Sequence, residues 1–252
     1  MRSATIVILA AAAVFTLAAC GGSEATTTTS QPTTTTTATA PTTTQPEIML
    51  EVVPRSYAEF RAQQTACGAA APEPVTPMQF DAPINPGIDS EATVTATMST
   101  SCGDIEIELD PSLAPETVDS FILLATEGYF DGTVFHRVIP DFVAQGGDQT
   151  ATGTGGPGYV IPDEFPPLAV TYSRGAVAMA NSGPGTTGSQ FFMMLEDGNL
   201  PPQYSIFGWV REGFEVLDLM QGVPLGQSAT SPDPFPSTPL ETIYIDAVTI
   251  QS

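Results

Sequence analysis

Between Ala92 and Thr249 the chain is a succession of short strand-length runs, the first two alternating apolar with polar residues and several later ones apolar throughout, and this limits the fold more than any other feature. Ala92–Ser99 (ATVTATMS) and Asp104–Asp110 (DIEIELD) both alternate and are joined through Thr100–Gly103, which predicts a hairpin. Further strands are expected at Val134–Val138, Phe142–Gly146, Gly175–Met179, Phe191–Leu195 and Ile206–Val210, and Thr242–Thr249 supplies a closing strand. Helical spacing is confined to a few places. Ala114–Glu127 has Pro115 and Glu116 suited to a first turn, Gly128 as a stop, and Val118, Phe121, Ile122, Leu124 and Ala125 on one face. A second helix is expected over Gly213–Gln221. Strands dominate without a regular βαβ alternation, so the fold class is mainly β, an antiparallel barrel or sandwich.

Two stretches carry polar residues inside this apolar pattern: Phe135–Asp148 (FHRVIPDFVAQGGD) and Val177–Met194 (VAMANSGPGTTGSQFFMM). Arg137, Gln145, Asn181 and Gln190 sit there at strand-like spacing, where a polar group without a partner is costly. They amount to a permanently charged donor, amides and nearby aromatics, with no nucleophile and base pair. Such a set suits binding a polarised amide rather than cleaving it. His136, the only histidine, reads as a packed structural residue rather than a base. A metal site has no second imidazole and no close thiol pair to draw on, and no cofactor is expected. Gly153–Gly158 (GTGGPG) formally satisfies GxGxxG, but Pro157 interrupts it and no strand and helix flank it; Gly183–Gly188 (GPGTTG) lacks a Walker Lys.

The motifs FHRVIPDFVAQGGD and MANSGPGTTGSQFF resemble the cyclophilins, the peptidyl-prolyl cis-trans isomerase family, and the likeness runs from about Ala92 to Ile250. The resemblance implies a closed eight-stranded antiparallel barrel capped by two helices, with its interior packed and its site on the outside wall. It also implies isomerase activity on Xaa-Pro bonds, with Arg137 as the donor that stabilises the twisted prolyl amide and Gln145 holding it. Carried over position by position, Phe142, Val143, Phe192 and Leu200 line a proline pocket, while Phe191, one step from Phe192, keeps the default of core packing. Ala180 and Asn181 match the position that pairs with the substrate backbone, and Gln190 is a further contact to the peptide. Val143 stands where Met is more usual. Asn199 and Tyr204 stand where many eukaryotic relatives carry Trp and His. Tyr204 keeps an aromatic wall, whereas Asn199 removes the indole associated with drug binding, so weak cyclosporin affinity is expected.

The residues before Ala92 have a different character. Met1–Cys20 begins with Arg2, continues as an apolar run too brief for a good membrane span, and ends in LAAC before Gly21. That ending resembles a lipoprotein cleavage box, so residues 1–19 are expected to be a signal peptide and Cys20 the lipidated first residue of the mature chain; an ordinary secreted protein is the alternative. The run from Ala25 to Pro46 is almost wholly Thr, Pro, Ala and Gln and cannot bury enough apolar surface to fold, so residues 20–46 are expected to be a disordered tether. Such a tether spans on the order of 25 Å. Residues 47–91 read as an extended arm on the domain, broken by prolines, with a short helix in Ser56–Thr65. Cys67 in the arm and Cys102 in the first hairpin remain once Cys20 is lipidated. An even remainder in an oxidising envelope implies a disulfide between them, with two separate buried thiols as the alternative.

The formal charge is -22, and the six basic residues are all Arg. A phosphate backbone or an anionic lipid surface would be repelled, so nucleic acid is excluded as a partner and the membrane is reached only through the lipid anchor. The expectation is an extracytoplasmic, lipid-anchored monomer in the cell envelope, acting on Xaa-Pro segments of unfolded or exported proteins. The competing class is a proline-binding or chaperone module with little turnover.

Overall fold

The computed structural model describes residues 53–81, 87–229 and 231–251; the expected signal segment, Cys20 and the tether lie outside the described residues. The hairpin forms from β1 (Val94–Thr100) and β2 (Gly103–Leu109), in register from Val94 opposite Leu109 to Thr100 opposite Gly103. After α2 (Pro115–Thr126), numbered behind the arm's α1 (Tyr57–Arg61), come β3 (Arg137–Ile139), β4 (Val143–Gly146), β5 (Ala176–Met179), β6 (Phe191–Met194) and β7 (Ile206–Glu212). The chain ends with α3 (Phe214–Gln221), the short strands β8 (Leu225–Gly226) and β9 (Thr238–Pro239), and β10 (Ile245–Gln251).

Eight of these strands make one antiparallel sheet in the order β10-β1-β2-β7-β5-β6-β4-β3. The sheet curls until its two ends meet. Gly132 N–H donates to the Ile245 carbonyl (2.8 Å), Ile245 N–H to Thr133 (2.8 Å) and Phe135 N–H to Ile243 (3.0 Å), around a bridge between Val134 and Tyr244. The strand expected at Val134–Val138 is therefore divided. Its first half seals the barrel against the approach to β10, and the ladder with β4 starts at Arg137.

The period of two sorts side chains onto two packed layers. On β6, Phe191 and Met193 join the barrel interior, whereas Phe192 and Met194 belong to a second apolar cluster on the outer wall. β5 divides the same way, Val177 and Met179 inside, Ala176 and Ala178 outside. The interior is dominated by rings: Phe121 lies 5.0 Å from Phe207, 5.1 Å from Phe130 and 6.0 Å from Phe191 between centroids. Each ring removed from water contributes about 1.5–3 kcal/mol.

Helix α2 buries the expected face, Val118, Phe121, Ile122, Leu124 and Ala125. Ala114 at its start offers no capping side chain; instead the Glu164 carboxylate accepts the N–H groups of Glu116 (3.0 Å) and Thr117 (2.8 Å), where the helix dipole favours an anion. Gly213 opens α3 at φ +90°, and a Cβ there would run into the Asp104 carbonyl.

The described residues of the arm are held against the barrel at several points. Its helix is shorter than expected, five residues capped by the Ser56 hydroxyl, because the chain then pairs with the barrel: Thr242 N–H donates to Gln64 and Ala66 N–H to Thr242. Phe60 is buried beneath this segment, and the Cys67–Cys102 disulfide, with Cα atoms 5.2 Å apart, ties the arm to the turn of the first hairpin.

Candidate functional site

Directly opposed residues in a sheet face the same way, and the ladders place Arg137 opposite Gln145, Gln145 opposite Phe192, and Phe192 opposite Ala178. Charged donor, amide and aromatic ring thus form one row across the outer wall. The next row on this face carries Ile139, Val143 and Met194.

A guanidinium can only donate, and this fixes the polar chain that starts from it. Arg137 Nη1 donates to Gln145 Oε1 at 3.0 Å, which leaves the Gln145 amide nitrogen to donate onward to Gln190 Oε1 at 3.0 Å. Gln190 Nε2 then donates to the Gly155 carbonyl at 2.9 Å, in the glycine-rich loop. On its other side the guanidinium meets Asp233 through two parallel bonds of 2.8 Å, Nε to Oδ2 and Nη2 to Oδ1. The Asp233 carboxyl is held below its ordinary value of 3.8, chiefly by these bonds, against the opposing effect of burial.

The apolar part of the wall contains Phe142, Val143, Phe192, Leu200, Tyr204 and Ala180 in one cluster. The rings of Phe192 and Tyr204 meet edge to face, 5.5 Å apart at 83°. The Tyr172 hydroxyl grips the Tyr204 backbone from below, donating to its carbonyl (2.8 Å) and accepting from its N–H (3.1 Å). Asn199 is exposed in the same loop as Leu200. Asn181 turns its side chain inward to the loops, donating to the Gln203 carbonyl and accepting from Gly183 N–H. All of the predicted outer-wall residues therefore come together in two adjoining patches, one polar and one apolar. Cys67 and Cys102 lie away from both, and Cys20 lies outside the described residues.

Beside the row is a cleft of about 400 Å³ whose lining includes Arg137, Gln145, Asn181, Thr154 and, from the arm, Pro54 and Arg55. His136, buried in the lining of this cleft, has no hydrogen-bond partner for either ring nitrogen among the described residues, and burial pushes its pKa down to about 4. It is neutral at ordinary pH. Among the described residues no group of three or more His, Cys, Asp or Glu side chains is placed to hold a metal ion.

Sequence reasoning missed three supports. Asp233 comes from the loop between β8 and β9, 96 residues from Arg137, in a Ser/Pro-rich stretch that reads only as a turn. Tyr172 looks like any core tyrosine. Asp148, at the end of the first motif and fully buried, accepts the N–H groups of Thr150, Thr152, Gly153 and Gly155, so the glycine-rich loop is wound around its carboxylate. The visible signal for it was an acid followed by Thr and Gly at short spacing, the pattern of a side chain that caps a loop.

Residues 95–249 match the family model of the cyclophilin type peptidyl-prolyl cis-trans isomerase/CLD. Peptidyl-prolyl cis-trans isomerase B of Streptomyces anulatus is 41% identical over 175 residues, covering 62% of this chain and 96% of that protein. A probable peptidyl-prolyl cis-trans isomerase B of Mycobacterium leprae is 37% identical over 170 residues, covering 62% of this chain and 58% of its own length. Among solved structures, a cyclophilin type peptidyl-prolyl cis-trans isomerase of Cryptosporidium parvum, crystallised in the presence of the dipeptide Ala-Pro, superposes with a TM-score of 0.55 at 34% identity, covering 63% of this chain and 99% of that one.

Proposed function

Because the chain belongs to the cyclophilin type peptidyl-prolyl cis-trans isomerase family, we propose that it turns over Xaa-Pro bonds of exported proteins, with Arg137 as the group that lowers the barrier. That barrier, about 18–20 kcal/mol, arises because the nitrogen lone pair is delocalised into the carbonyl. Twisting returns the lone pair to a pyramidal nitrogen, which then accepts a hydrogen bond that the planar amide cannot. A cationic donor fixed at that nitrogen stabilises the twisted state and not the ground state, which is the condition for raising the rate. The rotation itself transfers no proton.

The observation that carries this reading is the cross-strand row itself, a charged donor held by Gln145 and set beside the Phe192 ring on one face of the sheet. Phe142, Val143, Phe192, Leu200 and Tyr204 would take the proline ring, a small rigid apolar group. The Ala180–Asn181 backbone and Gln190 would hold the flanking peptide. The Ala-Pro dipeptide used with the Cryptosporidium neighbour supports the same substrate class.

An envelope location rests on the export signal ending at Cys20, and a disulfide between Cys67 and Cys102 is in keeping with an oxidising compartment. Uncatalysed prolyl isomerisation takes tens of seconds or longer, so proteins refolding after export gain from catalysis there. The deciding experiment is a protease-coupled assay of a proline peptide with wild type and Arg137→Ala. Loss of turnover with peptide binding retained is expected. Equal rates would leave only a proline-binding module.

A further inference from the structure

Asp233 stands out because it occupies the guanidinium on which the proposed mechanism depends, yet it comes from a loop whose other described residues lie outside the row. A guanidinium has five N–H groups; Asp233 accepts two, Gln145 one, and one remains on each terminal nitrogen. Two alternatives present themselves. Either the carboxylate masks the cation, or it holds the cation in one plane.

The loop is built for holding. The Asp233 side chain retains only 9% exposure, against 25% for that of Arg137. Its Oδ2 accepts from the Ser231 hydroxyl (3.3 Å), its own N–H donates to that hydroxyl (3.2 Å), and its carbonyl accepts from Gln227 Nε2 (2.9 Å). Ser231 pairs with the Ser237 hydroxyl (3.1 Å), and the Ser237 carbonyl accepts the N–H of Val138, the residue after Arg137 (2.8 Å). The carboxylate is thus anchored through the same strand that carries the guanidinium. Bidentate pairing of this kind fixes orientation as well as charge, and among the described residues no further hydrogen bond takes up the two spare N–H groups.

We propose that Asp233 is a positioning residue for the isomerisation, fixing the plane of the Arg137 guanidinium so that its two uncommitted N–H groups stay available to the twisting amide. This rests on the role proposed for Arg137. Gln145 alone would leave the group free to turn about its last side-chain bond, and a donor off line by that rotation loses transition-state stabilisation while ground-state binding by the apolar wall is kept.

The test is saturation kinetics in the protease-coupled assay on the full chain carrying Asp233→Ala, Asp233→Asn, Asp233→Glu, Arg137→Ala and the double Arg137→Ala/Asp233→Ala, with melting temperatures recorded for each. Asp233→Ala and Asp233→Asn are expected to lower kcat about tenfold with KM within about twofold, and Asp233→Glu to recover part of the loss. In the Arg137→Ala background, removing Asp233 should change nothing further. If Asp233→Ala keeps or exceeds the wild-type kcat while Arg137→Ala is impaired, positioning is overturned and the role of Arg137 stands. An equal loss with and without Arg137 would mark a structural effect and also overturn it. Wild-type turnover by Arg137→Ala would remove both readings together.

Discussion

Arg137 and Arg211 make the same bond pattern to a carboxylate, Nε and Nη2 onto two oxygens, but they do so in different surroundings. Arg211 reaches across from β7 to Glu108 on β2, with side chains 50% and 47% exposed. Arg137 and Asp233 are 25% and 9% exposed, and Arg137 has the further bond to Gln145. An exposed pair is screened by water and salt and holds its side chains loosely. A sheltered one, tied into a strand and a loop, fixes a cation in place. The difference teaches that, in the mechanism proposed for Arg137, the chemistry would come from the enclosure of an ordinary side-chain pair and not from an unusual residue.

The sharpest way to break that contrast is substitution. Arg137→Ala is expected to lower kcat/KM by about two to three orders of magnitude, as loss of one preorganised donor commonly does, whereas Arg211→Ala should stay within about twofold in the same peptide assay. Next in size is the acid response of the Arg137 side of the molecule. His136, the neighbouring residue, has a folded pKa of about 4 against an ordinary 6.5, so the unfolded chain binds its proton first. Stability from this group is complete above pH 6.5 and is lost as pH falls toward 4, on the order of 3 kcal/mol in all. Thermal melts across that range should show a decline that His136→Phe lacks, and an unchanged slope in the variant would contradict the assignment.

A smaller effect should appear in double-mutant cycles on unfolding free energy. Arg137 and Asp233 are expected to couple by about 1.5–3 kcal/mol with little salt dependence, and Arg211 and Glu108 by about 0–1 kcal/mol, vanishing in high salt. Equal couplings would remove the distinction between the pairs. The least effect is expected at Asn199, which is exposed and places no indole at that position of the loop beside Leu200. Titration calorimetry with cyclosporin should show weak binding, and a tight isotherm would mean that the wall compensates.

Much of the barrel was legible because period-two alternation is a local property. It separated Phe191 from Phe192 by face, and it placed both sheet stretches that bear the row. What stayed hidden depends on distant chain. The β8–β9 pair lies in a proline-rich stretch with no alternation to read, and the partner of Arg137 is brought to it only by closure of that loop. The strand expected at Val134–Val138 is divided, because one run serves two neighbours where the barrel closes, and nothing local marks that division. The arm's short helix was visible, whereas its contribution of Pro54 and Arg55 to the cleft follows from docking that no local pattern announces.

The most direct measurement is a crystal structure of the domain with an Xaa-Pro peptide seated on the outer wall. The expected result has the proline ring against Phe192 and an Arg137 terminal nitrogen within about 3 Å of the prolyl nitrogen or its carbonyl oxygen. A peptide bound with its imide bond out of reach of the guanidinium would contradict the central claim.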